Sequence, residues 1–208
     1  MCGITGWLSY SQDMREHENV LQRMTDSMIW RGPDAQGIWI DGPIGLGHRR
    51  LSIIDLEGGK QPMLARQADG KQAAGITYSG EIYNFRELRA ELQLRGHRFE
   101  NRSDTEVVLR AYLEWGENFV DRLNGMYAFA IWDRRQESLL LVRDRMGVKP
   151  LYYYPTADGV IFGSEPKALL ANPSVPRRVR ADGLREILEM VKTPGHAVFH
   201  GMYEVLPC

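Results

Sequence analysis

The sequence predicts a layered α+β domain in which two sheets lie face to face between helical layers. Short apolar, β-branched segments fall into two groups, one before and one after a pair of helical patterns, as a layered α+β chain requires. In MYAFAIWD, Tyr127, Phe129 and Ile131 alternate with Ala128, Ala130 and Trp132. Both phases are apolar, so that strand is expected to be covered on both faces. Val20, Leu21, Met24 and Met28 recur at helical spacing, giving an amphipathic helix with one face to bury.

The elements follow in order. CGITGWLS is a short apolar strand ended by the turn-forming SQD. The spacing predicts a helix over NVLQRMTDSMIW, stopped by RGPD. GIWID and IGLGHRRLSII are strands joined through Asp41-Gly42-Pro43, which suits a turn. DLEGGKQPMLARQADGK is loop by composition and long enough to have a functional role. AAGITYSGEI is a strand, and Asn84 with Glu87 signals a helix start before Phe85, Leu88 and Leu92. Ser103 and Glu106 give a second such signal, with Val107, Val108, Ala111, Tyr112 and Trp115 facing inward; the two helices are expected to form one layer. After MYAFAIWD, the segments SLLLVRD, LYYYP and GVIFGSE are three short strands on tight connections.

At 208 residues the chain reads as one domain with a sizeable core. Its formal charge of −1 gives no footprint for nucleic acid or an anionic membrane, so a small-molecule substrate is expected. The two cysteines stand at the two ends, without a disulfide framework or paired metal-ligand spacing, and a reducing cytoplasm is the expected setting. No run approaches the ~20 apolar residues of a membrane span, and the start lacks the charged n-region of a signal peptide. Neither GKQ nor GPIGLG matches a nucleotide-phosphate loop.

Four stretches can carry chemistry. Cys2 directly follows the initiator methionine in MCGITGW. If Met1 is removed, nucleophile and base share one residue, because a free α-amine, with a reference pKa of ~8, can accept the thiol proton. Taken alone, Cys2 reads first as a buried strand cysteine. Arg49 and Arg50 in GHRRLSIID point to opposite faces of a strand, so one can clamp a ligand carboxylate while the other faces solvent; an ordinary surface pair is the alternative. In YSGEIYN, Gly80 allows a close approach of backbone amide to a reacting carbonyl, and Ser79 can add a hydroxyl donor; a strand ending in a turn explains the same residues. In NRSDTE the helix cap accounts for Ser103 and Glu106, and leaves Asp104 able to hold the ammonium of an amino acid. Arg50 and Asp104 would then grip a zwitterion by its two charges.

Together these stretches resemble the class II glutamine amidotransferases, a branch of the N-terminal-nucleophile hydrolases. The likeness runs through MCGI, RGPD, HRRLSIIDL, QPM, YSGEIYNF, SDTEV, LNGMYAFAIWD, RDRMGVKPLYY and FGSEPKAL, over essentially all of residues 1–208. RGPD and RDRMGVKPLYY are similar to the glutaminase half of glutamine-hydrolysing asparagine synthetase. The resemblance implies a four-layer αββα sandwich and hydrolysis of glutamine to glutamate and ammonia through a γ-glutamyl thioester. It implies Cys2 as nucleophile with its own α-amine as base, and Gly80 and Ser79 at the oxyanion. Arg50 would bind the glutamine carboxylate, Asp104 its ammonium, and Glu81 would line the pocket. Backbone groups from Leu51 through Ile53 to Ile54 would help hold the substrate, with Arg31 and Asn84 in support. No cofactor is implied for this domain; ATP and magnesium belong to the synthetase half. The implied partners are glutamine and a synthetase domain or subunit that takes the ammonia, and a homodimer is compatible with the family.

Three departures shape these expectations. The family usually has asparagine where Ser79 stands, and a serine hydroxyl reaches less far; since a full oxyanion donor is worth ~2.7–4 kcal/mol, reduced glutaminase activity is expected. Nothing resembles the pyrophosphate loop of the synthetase half, so the chain alone is expected neither to bind ATP nor to make asparagine. The text ends at EVLPC where relatives continue through Pro-Gly, which reads as a domain truncated at its C-terminal end or as a free-standing glutaminase, with Cys208 a candidate exposed thiol. A catalytically weak docking module is the rival reading, and the intact Cys2, Arg50, Gly80 and Asp104 set argues against it.

Overall fold

Strand β1 (Gly3–Ser9) has both faces apolar or small, and it lies inside a sheet with neighbours on either edge. A computed structural model describes residues 1–53, 55, 58–66, 72–191 and 193–207. β1 pairs antiparallel with β3 (Ile44–Arg50) on one side and β9 (Gly159–Gly163) on the other. β2 (Ala35–Asp41) extends the sheet beyond β3; β8 (Tyr152–Pro155) and the short β10 (Tyr203–Glu204) extend it beyond β9. The order in this first sheet is β10-β8-β9-β1-β3-β2.

The second sheet has the order β4-β5-β6-β7, built from β4 (Met63–Arg66), β5 (Gln72–Ile82), β6 (Gly125–Asp133) and β7 (Ser138–Arg143). Alternation along each strand sorts side chains to opposite faces. From β6, Ala128, Ala130 and Trp132 pack against Ile4, Leu8, Ile44, Leu46 and Phe162, which fills the space between the sheets. Its other phase, Tyr127, Phe129 and Ile131, packs with Tyr78 and Ile82 against two helices, α2 (Phe85–Leu94) and α3 (Asp104–Trp115). On the outer face of the first sheet, Trp7 and Ile161 meet α1 (Glu18–Asp26) and α4 (Pro166–Leu170) through Met24 and Leu169. A last helix, α5 (Ala181–Glu189), follows before β10. The layers are therefore helix, sheet, sheet, helix, and the doubly covered β6 is the strand that MYAFAIWD predicts.

Phe129 shows how much this arrangement depends on one residue. It is fully buried, with ring centroids of Tyr127, Phe119 and Tyr78 at 5.5, 5.7 and 6.3 Å. Phe129→Ala is expected to destabilise the fold by about 3–5 kcal/mol, the usual cost of emptying an aromatic site in a packed core, measured as a lowered midpoint in urea.

Three local expectations are corrected. The α-helix over NVLQRMTDSMIW ends at Asp26; the chain then turns, burying Met28 while Trp30 points outward. The strand expected over IGLGHRRLSII stops at Arg50, where Asp34 of RGPD takes over: its backbone N–H donates to Arg50 O at 3.0 Å and its carboxylate accepts from Ser52 N at 2.8 Å. The segment read as loop holds β4, whose Met63 and Ala65 are buried and whose Leu64 and Arg66 are exposed. Among the described residues no helix is long and apolar enough to cross a membrane.

Candidate active site

Cys2 precedes β1 and shares the phase of Ile4 and Leu8, so its side chain falls on the side of β1 that faces the second sheet. Its sulfur lies between the backbone groups of Leu51, with the N–H at 3.4 Å and the carbonyl at 3.5 Å. Two donors fix its carbonyl: Arg31 Nε at 2.9 Å and the Ser79 hydroxyl at 3.0 Å. Burial pushes the thiol above its ordinary 9.0, and the Leu51 hydrogen bond and nearby positive charges offset this only in part. At neutral pH the sulfur is thus protonated at rest, and it needs a base to attack.

The second sheet supplies the opposite wall. Along β5, Thr77 and Ser79 face the first sheet, where the Thr77 hydroxyl donates to Gly47 O, while Tyr78 and Ile82 face the helices. Gly80 lies against β6 so closely that a Cβ would stand 2.5 Å from Met126 O and 2.8 Å from Tyr127 Cα, so no side chain fits there. Ser79 has one proton to donate and in this arrangement gives it to Cys2 O, holding the nucleophile's backbone.

The charged residues converge from both sides. Arg50 ends β3, buried, and donates through Nη2 to Asp55 O at 2.6 Å. Asp104 opens α3 directly after the cap residue Ser103, whose side chain accepts from Glu106 N. One Asp104 oxygen accepts from the Tyr78 hydroxyl at 2.7 Å and from Ile82 N at 3.1 Å. Burial pushes Asp104 above the usual carboxylate range despite these bonds, and burial together with Asp104's charge does the same to Glu81. A cation between them would relieve both.

A cavity of about 180 Å³ collects these groups. Of the residues the sequence singles out, Cys2, Arg50, Leu51, Ile53, Ser79, Gly80, Glu81 and Asp104 line it. Ile54 is outside the described residues. Arg31 is not in the lining; it stands behind Cys2, near Glu165 at 3.7 Å. Asn84 is not in the lining either, and its side chain does not cap α2. It bridges instead to the chain before β6, donating to Arg122 O at 2.9 Å and accepting from Asn124 N at 3.0 Å. Arg49 is buried like Arg50, its guanidinium on Gly32 O and Gln36, so the expectation that one of the pair faces solvent is corrected.

Among the lining residues that sequence reasoning gave no role, Tyr78, Gln61 and Lys149 matter most to the site. Tyr78 holds Asp104, and Gln61 accepts from Tyr78 N at 2.7 Å. Lys149 is buried, with its ammonium 3.4 Å from Met1 Sδ. The buried Asp144 folds the loop that carries Lys149, accepting from the backbone N–H groups of Met146, Val148 and Lys149. Lys149 and Asp144 both lie within RDRMGVKPLYY, and a lysine inside the otherwise apolar MGVKPLYY was the available signal. Among the described residues, no group of three or more His, Cys, Asp or Glu is placed to hold a metal ion.

Residues 1–208 match the family described as the glutamine amidotransferase domain. The chain belongs to that family. This glutamine amidotransferase domain is 44% identical over 209 residues to asparagine synthetase [glutamine-hydrolyzing] 3 of Bacillus subtilis, covering 100% of the chain and 34% of that protein. It is 38% identical over 193 residues to a putative asparagine synthetase [glutamine-hydrolyzing] 2 of Methanocaldococcus jannaschii, covering 86% of the chain and 36% of that protein. The domain thus spans about a third of the length of these relatives. Among solved structures, the glutamine phosphoribosylpyrophosphate amidotransferase of B. subtilis superposes with a TM-score of 0.66 at 20% identity, over 82% of this chain and 43% of that one. That likeness is one of fold, and it agrees with the layering of helix, sheet, sheet and helix described above.

Proposed function

We propose that this glutamine amidotransferase domain hydrolyses glutamine to glutamate and ammonia at Cys2, and that the ammonia feeds a synthetase domain or subunit that forms asparagine. One observation carries the proposal: a thiol, a guanidinium and a carboxylate that are far apart in sequence, those of Cys2, Arg50 and Asp104, line one small cavity. Its volume is below the ~300–1,000 Å³ of pockets for drug-sized ligands and suits an amino acid. Arg50 takes the α-carboxylate, Asp104 the α-ammonium with Glu81 beside it, and the side-chain amide reaches the sulfur. The Leu51 and Ile53 side of the cavity borders the substrate, and Arg31 and Ser79 fix the nucleophile's backbone.

With Met1 removed, the Cys2 α-amine takes the thiol proton as sulfur bonds to the amide carbon. The Gly80 N–H supports the negative charge that develops on oxygen. The carbon–nitrogen bond breaks as the amine passes its proton to the leaving nitrogen, and ammonia departs from a γ-glutamyl thioester. Water adds to the thioester, the carbon–sulfur bond breaks, and glutamate leaves with the thiol restored. The chain supplies nucleophile, base and oxyanion donor itself; ATP and magnesium belong to the synthetase reaction. Relatives named as glutamine-hydrolysing asparagine synthetases, about three times as long, support asparagine as the product the ammonia serves. A reducing cytoplasm suits the free nucleophilic thiol.

The test is product stoichiometry. The trimmed chain is expected to release glutamate and ammonia in equal amounts from glutamine, and trimmed, folded protein that releases neither overturns the proposal. The pH dependence of binding adds a sign. Only ionised Asp104 pairs with ammonium, and burial raises its pKa. Glutamine affinity is therefore expected to fall with falling pH from a point above the ordinary 3.8, whereas Asp104→Asn binds weakly and keeps only the smaller dependence that Glu81 supplies.

A further inference from the structure

Asp55 stands beside the cavity in a conformation few side chains adopt. Its φ is +49°, in the left-handed region that aspartate tolerates better than most residues. Every oxygen it has is used. Its carbonyl accepts from Arg50 Nη2 at 2.6 Å and from Gly59 N at 3.0 Å, filling both lone pairs. Its carboxylate accepts from Gly58 N at 2.9 Å through Oδ1 and from Arg102 N at 2.7 Å through Oδ2. These bonds hold the carboxyl below the usual range, so it stays ionised wherever the protein is folded near neutral pH. The packing around it is close: a Cβ on Gly58 would stand 2.5 Å from Asp55 Oδ2, and one on Gly59 would stand 2.4 Å from Arg50 Nη2.

One end of this residue reaches the Arg50 guanidinium of the proposed substrate grip, and the other reaches the backbone that leads into Asp104. Arg50 is bound at the backbone end. Arg102, bound at the carboxylate end, is two residues before Asp104 and adjoins the cap of α3. We infer that Asp55 is a positioning residue for glutamine: it ties the Arg50 guanidinium to the segment that opens α3 and so sets the separation at which carboxylate and ammonium are read together. It touches no reacting atom, and its effect falls on substrate capture. This inference rests on the assignment of Arg50 and Asp104 as the glutamine grip.

Asp55→Asn isolates the tether, because asparagine also accepts positive φ but turns an NH2 toward one of the two backbone donors. The trimmed parent and variant are each treated with two electrophiles that alkylate Cys2. A diazo-ketone analogue of glutamine carries both α charges and needs the grip; iodoacetamide needs only the sulfur. The variant is expected to react about ten-fold more slowly with the diazo-ketone, the factor for a change of ~1.4 kcal/mol, and at the parental rate with iodoacetamide. KM for glutamine is expected to rise by about the same factor with kcat little changed. Asp55→Gly, which keeps the backbone conformation and loses both carboxylate tethers, should show the larger shift. Equal diazo-ketone rates in parent and Asp55→Asn overturn the inference. So does an equal change toward both reagents, which marks general loosening of the site. A parent that the diazo-ketone leaves untouched fails for a different reason and overturns the proposed function itself.

Discussion

Cys2→Ala is expected to bring glutamine-dependent glutamate release down to background, a fall on the order of a million-fold if the nucleophile behaves as in other covalent hydrolases. The fold should survive, because among the described residues the sulfur's hydrogen-bonding contacts are with the backbone of Leu51. Those that fix this end of β1, from Arg31 and Ser79, go to the Cys2 carbonyl, which alanine retains. Loss of one partly buried sulfur costs about 1 kcal/mol, well within what a domain of this size tolerates. Unchanged urea midpoints beside absent turnover would assign the loss to chemistry. Equal rates in the two proteins would mean that the cavity hydrolyses glutamine without its sulfur, or does not hydrolyse it at all. Glutamine should still bind to Cys2→Ala, since Arg50 and Asp104 remain, so binding and turnover separate in this one variant.

That separation reflects how the site is assembled, and how much of it can be read from residues alone. Strand β6 was legible because both its phases are apolar, a local pattern with one structural solution. The start of α3 was legible because Ser103 and Glu106 sit at cap spacing, and Ser103 does cap it. β4 was hidden because Gly, Lys and Gln crowd around it, and its alternation is only four residues long. The α-helix over 18–26 is shorter than its apolar spacing suggests because the turns after Asp26 also bury Met28, so an apolar residue at helical spacing does not by itself mark a continued helix. Arg49 is buried because Gly32 lies so close that a Cβ there would be 2.4 Å from Arg49 O; no strand rule contains that tertiary contact. In the cavity the legible residues were those whose type announces chemistry. Tyr78, Gln61 and Asp55 act by holding other residues, and such a role exists only once Asp104, Tyr78 N and Arg50 have been brought within 3 Å of them.

A chain that keeps Met1 is expected to be inactive toward glutamine, and activity in a mixed preparation should scale with the trimmed fraction found by intact mass. Two effects coincide. Met1 lines the cavity and lays its thioether 3.4 Å from the Lys149 ammonium, so it occupies space beside the sulfur. It also turns the Cys2 nitrogen into an amide, whose lone pair is delocalised into the peptide bond and accepts no proton. The thiol it leaves behind is harder to ionise than a free cysteine, since burial raises its pKa and the positive charges nearby compensate only in part. Without a base the resting state is a protonated, weakly nucleophilic sulfur. Trimming supplies the base at the position where the proton is released, and the rate should then climb as pH rises through ~8, where an α-amine loses its own proton. Iodoacetamide gives the matching control on the untrimmed chain: alkylation of Cys2 should be slow at neutral pH and rise only beyond the ordinary thiol range. Treating the untrimmed protein with a methionine aminopeptidase should restore glutamate release together with the neutral-pH reactivity of the sulfur. If full turnover appears with Met1 still attached, the α-amine is not the base, and the proton must go to another group in the cavity.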